Sequence, residues 1–132
     1  MTEAVILLVD DERTILDSLK QQLRGLFGSR FGFETAEDVK EAWEVLDDLV
    51  GGTDVRVVLV VSDWLMPGIR GDEFLVQVRE RHPHIARVML TGQADAEAIS
   101  RALSEAAVMQ VLHKPWSVED LRRVIEAAAA DA

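Results

Sequence analysis

Val55-Arg56-Val57-Val58-Leu59-Val60-Val61-Ser62-Asp63-Trp64-Leu65-Met66-Pro67-Gly68 is the stretch that decides the fold. Its first part, Val55 to Ser62, is almost wholly apolar and branched, the pattern of a strand buried on both faces. Strands of that kind belong to parallel sheets covered by helices on both sides. Asp63 follows at once, and Pro67-Gly68 then turns the chain. Asp63 after such a run would by itself read as a loop residue, and Met66-Pro67-Gly68 behind it favours a functional one.

Towards the N-terminus, Ala4-Val5-Ile6-Leu7-Leu8-Val9 is a second such run and ends in Asp10-Asp11-Glu12. Between the two runs, Ile15, Leu16, Leu19, Leu23, Leu26 and Phe27 recur at helical spacing up to a Gly-rich break over 28–32. Phe31 to Ala36 is a weaker strand, assigned to a sheet edge because Gly32 interrupts it. Val39, Ala42, Trp43, Leu46 and Leu49 form a second amphipathic helix, stopped by Gly51-Gly52. Towards the C-terminus, Phe74, Leu75 and Val78 mark a third helix, starting near Asp72 and halted by Pro83. Arg87 to Thr91 reads as a fourth strand. A helix with Ala98, Ile99, Ala102 and Leu103 follows, with Asp95 as its N-cap. Ala107 to Leu112 reads as a fifth strand, with Gln110 signalling an edge. Ser117-Val118-Glu119-Asp120 has the form of a capping box for a last helix with Leu121, Val124 and Ile125. The Ala-rich tail, 127–132, ends that helix or leads into a further segment. Strands alternating with helices throughout predict an α/β fold, a doubly wound parallel sheet between two helical layers.

The 132 residues suit one domain, and 48% hydrophobic with 29% charged residues places the chain among globular proteins. Fourteen basic against twenty-four acidic side chains leave a net charge of −10. That balance argues against direct nucleic-acid binding and favours cations or basic partners. With no cysteine, disulfides, thiolate metal sites and thiol nucleophiles are excluded. The apolar runs are far too short to cross a bilayer, and Met1-Thr2-Glu3 lacks the basic start of a secretory signal. The expectation is a cytoplasmic protein that does not engage a membrane.

In a doubly wound sheet, ligands bind beyond the carboxyl ends of the strands. The residues just after each strand are therefore the informative ones. They are Asp10-Asp11, then Asp63, then Thr91-Gly92, then Lys114-Pro115. Carboxylates about 5 Å apart repel by about 3 kcal/mol at an effective dielectric of about 20. A cluster of them needs raised pKa values or a cation, and Mg²⁺, with its preference for carboxylates, waters and a phosphate oxygen, resolves the conflict. Asp63 is then placed to act as a nucleophile on phosphorus, with Thr91 hydrogen-bonding one phosphoryl oxygen and Lys114 pairing with another. Each residue alone has a plainer reading. Asp10, Asp11 and Glu12 suit a helix N-terminus, Thr91 a strand end, and Lys114 a solvated loop. Their joint occurrence at consecutive strand ends outweighs those readings. His82, His84 and His113 read as solvated, Trp43 as core, and Glu37, Asp38, Glu41, Glu44, Asp47 and Asp48 as a solvated helix face.

With these motifs in this order, the chain resembles the receiver domain of two-component response regulators, of the chemotaxis-regulator type. The resemblance covers essentially the whole length and implies one flavodoxin-like domain over 1–132, standing alone or cut from a larger protein, with strand order 2-1-3-4-5. It implies Asp63 as phosphoacceptor, with Mg²⁺ held by Asp11, Asp63 and the Leu65 backbone carbonyl and assisted by Asp10. It further implies Thr91 as switch hydroxyl, Gly92 as the small residue beside the phosphoryl group, Lys114 as its pairing amine, and a cis peptide before Pro115. A sensor histidine kinase or phosphotransfer protein would be the donor, and an output domain or downstream protein the recipient of the signal. The signalling face would be the fourth and fifth helices with the last strand, about Ala98 to Trp116, and would also serve a homodimer.

The departures are informative. Receivers usually carry Tyr or Phe where this chain has Val111, so an aromatic rotamer switch is absent there. Trp116 is a candidate substitute, Trp64 a candidate gate beside Asp63, and Leu65 and Gln93 occupy positions that tune phosphoryl lifetime in the family. Arg70 stands where an acid is common. Thr91-Gly92-Gln93-Ala94-Asp95 with Lys114-Pro115-Trp116 is similar to receivers joined to cyclic-nucleotide enzymes, sensor kinases or transcription activators. The rival reading is a pseudo-receiver, the same fold as a phosphorylation-independent docking module, which Val111 favours and the intact acid and lysine set opposes. An independent phosphatase would want a second acid where Leu65 stands. The expectation is therefore a switch that catalyses only its own phosphorylation and dephosphorylation.

Overall fold

A computed structural model of the chain describes residues 3–52, 54–92 and 96–129. The central strand is β3 (Val55–Asp63), flanked by β1 (Glu3–Val9) and β4 (Ala86–Thr91). β2 (Gly32–Ala36) and β5 (Gln110–His113) close the sheet on its two edges. All pairings are parallel, and the order is β2-β1-β3-β4-β5, as the sequence resemblance implies. Both strands read as doubly buried are so: Val5 to Val9 of β1 and Val57 to Asp63 of β3 are buried.

Alternation splits the core into two halves. Ile6 and Leu8 of β1, with Val61, Val88, Leu90 and Leu112, pack under α1 (Arg13–Phe27) and α5 (Val118–Ala129). Leu7 and Val9, with Val60 and Met89, pack under α2 (Val39–Gly51), α3 (Gly71–Arg81) and the start of the stretch joining α4 (Ala96–Ser104) to β5. A register shift between Val5 and Ile6 lets Val58 and Leu59 both serve the first half. α4 buries only alanines, Ala98 and Ala102. Asp38 caps α2 by accepting from the Glu41 N–H (2.8 Å), and Ser117 Oγ caps α5 by accepting from the Asp120 N–H (3.0 Å). The expected cap Asp95 lies outside the described residues.

The fifth strand departs from expectation. It begins at Gln110, not Ala107. Ala107 has φ +49°, and the Val108 N–H turns back to the Ala102 carbonyl (3.1 Å), so this apolar stretch closes α4 before any pairing starts. β4 pairs with β5 only from Val88 opposite Gln110 onward. Among the described residues, no helix is long and apolar enough to cross a membrane.

Candidate functional site

Each functional side chain stands where a strand gives out. The loop after β1 starts at Asp10, whose N–H is still held by the Ala36 carbonyl (3.1 Å) and whose Oδ1 accepts from the Glu12 N–H (2.9 Å). Asp10 is therefore drawn inward, 1% exposed, whereas Asp11 and Glu12 face solvent. One carboxylate oxygen from each of Asp10, Asp11 and Glu12 lies within 4.8 Å of the other two. This is an all-oxygen, acidic donor set, which fits a hard divalent cation rather than a soft one. Glu12, read from the sequence as an ordinary helix acid, belongs to this group. It serves as N-cap of α1 without any side-chain capping bond, so its carboxylate is not engaged there.

Asp63 ends β3, 5% exposed. The chain beyond it is pinned by the Trp64 N–H to the Leu90 carbonyl (2.8 Å) and the Gly71 N–H to the Trp64 carbonyl (2.7 Å). A Cβ at Gly71 would overlap the Asp63 carbonyl, so only glycine lets α3 start this close to the acid. Gly68, at φ +84°, makes the turn between them. From the fifth strand, the Lys114 N–H bonds the Thr91 carbonyl (2.8 Å), and the Lys114–Pro115 peptide is cis. The Lys114 ammonium reaches Asp10 Oδ2 and Asp63 Oδ1, both at 2.9 Å.

Electrostatics at this edge is a contest. Burial pushes Asp63 up from 3.8 to about 6; the Lys114 hydrogen bond opposes that shift, and the Asp10 charge adds to it. Burial works to lower the Lys114 ammonium but is outweighed by its bonds to Asp63 and Asp10, which hold it above its ordinary value. At neutral pH the site is therefore an ionised carboxylate of raised basicity beside a committed cation.

Asp11, Glu12, Asp63, Trp64, Leu65, Met66, Pro67, Thr91, Gly92 and Lys114 surround one open cavity of about 500 Å³. Thr91 is 1% exposed and Leu65 is 56% exposed. Trp64 is half-buried, and its Nε1–H is buried without an acceptor. Two candidates lie elsewhere. Val111 is half-buried against the α2–α3–α4 half of the core, and Trp116 packs on the opposite half, donating to Gln22 Oε1 (2.8 Å). Gln93 lies outside the described residues. Arg70 pairs with the fully buried Asp72 (3.5 Å).

An open acidic cavity beyond the carboxyl ends of a 2-1-3-4-5 parallel sheet, with lysine bridging two strand-end aspartates, defines a class of doubly wound α/β domains. Residues 6–126 match the family of the response regulator receiver domain. The chain belongs to that family. It is 33% identical over 129 residues to the hydrogenase transcriptional regulatory protein HoxA of Cupriavidus necator, covering 95% of this chain and 25% of that protein. It is 32% identical over 123 residues to the chemotaxis protein CheY of Pseudomonas aeruginosa, covering 92% of each. Among solved structures, the signal receiver domain of an HD domain-containing protein from Pseudomonas fluorescens superposes with a TM-score of 0.87 at 29% identity, covering 98% of this chain and 96% of that one. The chain thus spans about a quarter of one regulator and nearly all of another. Receiver domains are switch modules rather than free-standing enzymes.

Proposed function

We propose that this chain is a phosphoaccepting receiver of a two-component relay, with Asp63 as the acceptor. The observation that carries the proposal is the Asp63 carboxylate, held at 2.9 Å by Lys114 at the mouth of an open acidic cavity. Asp10, Asp11, Asp63 and the Leu65 carbonyl would hold Mg²⁺, with Glu12 as an additional acid. When bound, the ion offsets the acidic charge and draws a phosphoryl oxygen.

The chain's own residues do the rest. An Asp63 carboxylate oxygen forms a new bond to phosphorus as the N–P bond of a donor phosphohistidine breaks. The imidazole leaves with the bonding pair and takes a proton from solvent. Lys114 holds Asp63 before transfer and a phosphoryl oxygen after it, and the Thr91 hydroxyl bonds a second oxygen. Gly92 keeps the approach open; the nearest neighbour of a Cβ built there is the Lys114 Cβ at 3.9 Å. The donor is a sensor histidine kinase or phosphotransfer protein. The recipient is an output part of the same protein or a separate partner, reached through α4, β5 and α5. The protein resides in the cytoplasm and works as one receiver module, alone or joined to a larger chain.

The second reading is a pseudo-receiver, favoured by Val111. Acetyl phosphate with Mg²⁺ followed by intact mass separates the two. Phosphoacceptance predicts one phosphoryl increment, lost in Asp63→Asn and without Mg²⁺. No increment under any condition leaves the pseudo-receiver, and an increment that survives Asp63→Asn identifies a different acceptor.

A further inference from the structure

Four residues before Thr91 on the same strand, Arg87 is 7% exposed. Strand alternation puts Arg87, Met89 and Thr91 on one face, the α3–α4 side of the sheet. The Arg87 guanidinium meets no carboxylate among the described residues. Its Nε donates to the Ala106 carbonyl (2.7 Å), just past α4, and its Nη1 donates to the carbonyls of Pro83 (3.4 Å) and Ile85 ahead of β4. Arg79 of α3 adds a second guanidinium, its Nη1 donating to the carbonyls of Ser104 (3.2 Å) and Glu105 (2.9 Å). The main chain closes the same knot, with the Met109 N–H on the Arg87 carbonyl (2.8 Å).

Two like charges thus converge on one helix end, and burial, followed by the Arg79 charge, pushes Arg87 below its ordinary range. What holds them there is a set of backbone carbonyls: Ser104 at the negative end of α4, Glu105 and Ala106 just past it, and Pro83 and Ile85 ahead of β4. Between this knot and Thr91, α4 fully buries only Ala98 and Ala102, with Ile99 half-buried against the same half of the core and Ala106 just beyond the helix end. The helix is tied at one end through the two arginines and is lightly packed along its length, with Leu103 left exposed.

We propose that Arg87 and Arg79 form a fixed pivot, about which α4 turns when Thr91 follows the phosphoryl group. That would carry the signal across a receiver with Val111 in place of an aromatic. This inference rests on the phosphoacceptor reading. Arg87 acts as a positioning residue, through the α4–β5 connection.

Amide hydrogen exchange with and without acetyl phosphate and Mg²⁺, with intact mass taken on the same samples, tests it. In the wild type, exchange should change over 96–103 and stay constant over 104–109. In Arg87→Met, exchange over 104–109 should rise about tenfold in the resting protein, as expected for the loss of a charge-assisted hydrogen bond. The phosphorylation-dependent change should then spread into that segment. Arg87→Lys and Arg79→Ala, gentler on folding, should do the same to a lesser degree, and a circular-dichroism melt identifies any variant that fails to fold. An equal change over 96–103 and 104–109 in phosphorylated wild type overturns the pivot alone. So does unaltered resting exchange over 104–109 in folded variants. Absence of a phosphoryl increment removes the receiver reading and the pivot with it.

Discussion

β4 carries a buried cation problem near each of its ends, and the two are solved in opposite ways. Beyond Thr91, the Lys114 ammonium sits between Asp10 and Asp63, a charge answered by charges. At Arg87, the guanidinium is answered by backbone carbonyls. Ionic partners can be titrated, screened or exchanged for a phosphoryl oxygen. Peptide dipoles cannot, because they belong to the chain. The first arrangement suits a site that must change state, and the second suits a joint that must not.

Removing the exchangeable cation should have the largest effect. Lys114→Met leaves two buried carboxylates facing each other, and breaking such a pair costs about 3 kcal/mol. Urea unfolding at pH 8 should report a loss of that size, partly restored at pH 5, where Asp63 takes up a proton. A variant as stable as wild type at pH 8 would break the comparison at its first term.

The second effect concerns Asp63 itself. Its folded pKa of about 6 lies above the ordinary 3.8, so between those values the folded state binds the proton more tightly than the unfolded state. Stability therefore falls as pH rises through that window, by about 3 kcal/mol, and stays lowered above it. Asp63→Asn should abolish the slope and be the more stable protein at pH 8, with the difference vanishing below pH 4. Calorimetric melts across that range check the sign; a slope that survives the substitution assigns the titration to another group.

The smallest effect sharpens the contrast with a third buried charge. Asp72 is wholly buried, neither carboxylate oxygen has a hydrogen-bond donor, and Arg70 Nε stands 3.5 Å away. Answered by neither charge nor dipole as fully as the other two, it should be dispensable. Asp72→Leu is expected to be as stable as wild type or more so, by about 1 kcal/mol. A melting temperature lowered by several degrees would mean that the Arg70 pair holds α3 in place.

How much of this was legible beforehand follows from what each segment owes to its neighbours. β1 and β3 declare themselves because strands covered on both faces must be apolar throughout, and the acids behind them stand out against that background. Topology then gathers those strand ends at one edge, so Asp63, Asp11, Thr91, Gly92 and Lys114 could be expected together and are found around one cavity. The stretch 107–109 misled because an apolar run looks the same whether it pairs with a strand or closes a helix. Ala107 at positive φ is a tertiary outcome, imposed where α4 ends. Arg87 gave no sign of its burial, since an arginine opening a strand reads as a surface residue and the acceptor of its Nε–H, the Ala106 carbonyl, comes from beyond α4. Gly71 was silent for the same reason, because the Asp63 carbonyl it admits is eight positions away in the chain.

The environments of the tryptophans have an optical consequence. The chain has no tyrosine, so its three tryptophans dominate near-ultraviolet absorption and emission. Trp43 is clasped, with Arg81 over its face at 4.3 Å, Phe74 edge-on at 5.5 Å and its indole N–H on Gln77 Oε1 (3.3 Å). Trp116 is tethered to Gln22. Trp64 alone of the three lines the Asp63 cavity, its indole N–H without an acceptor. Two fluorophores thus stand away from the cavity, and the third is placed where the colour and brightness of its emission should follow the charge state of the residue next to it.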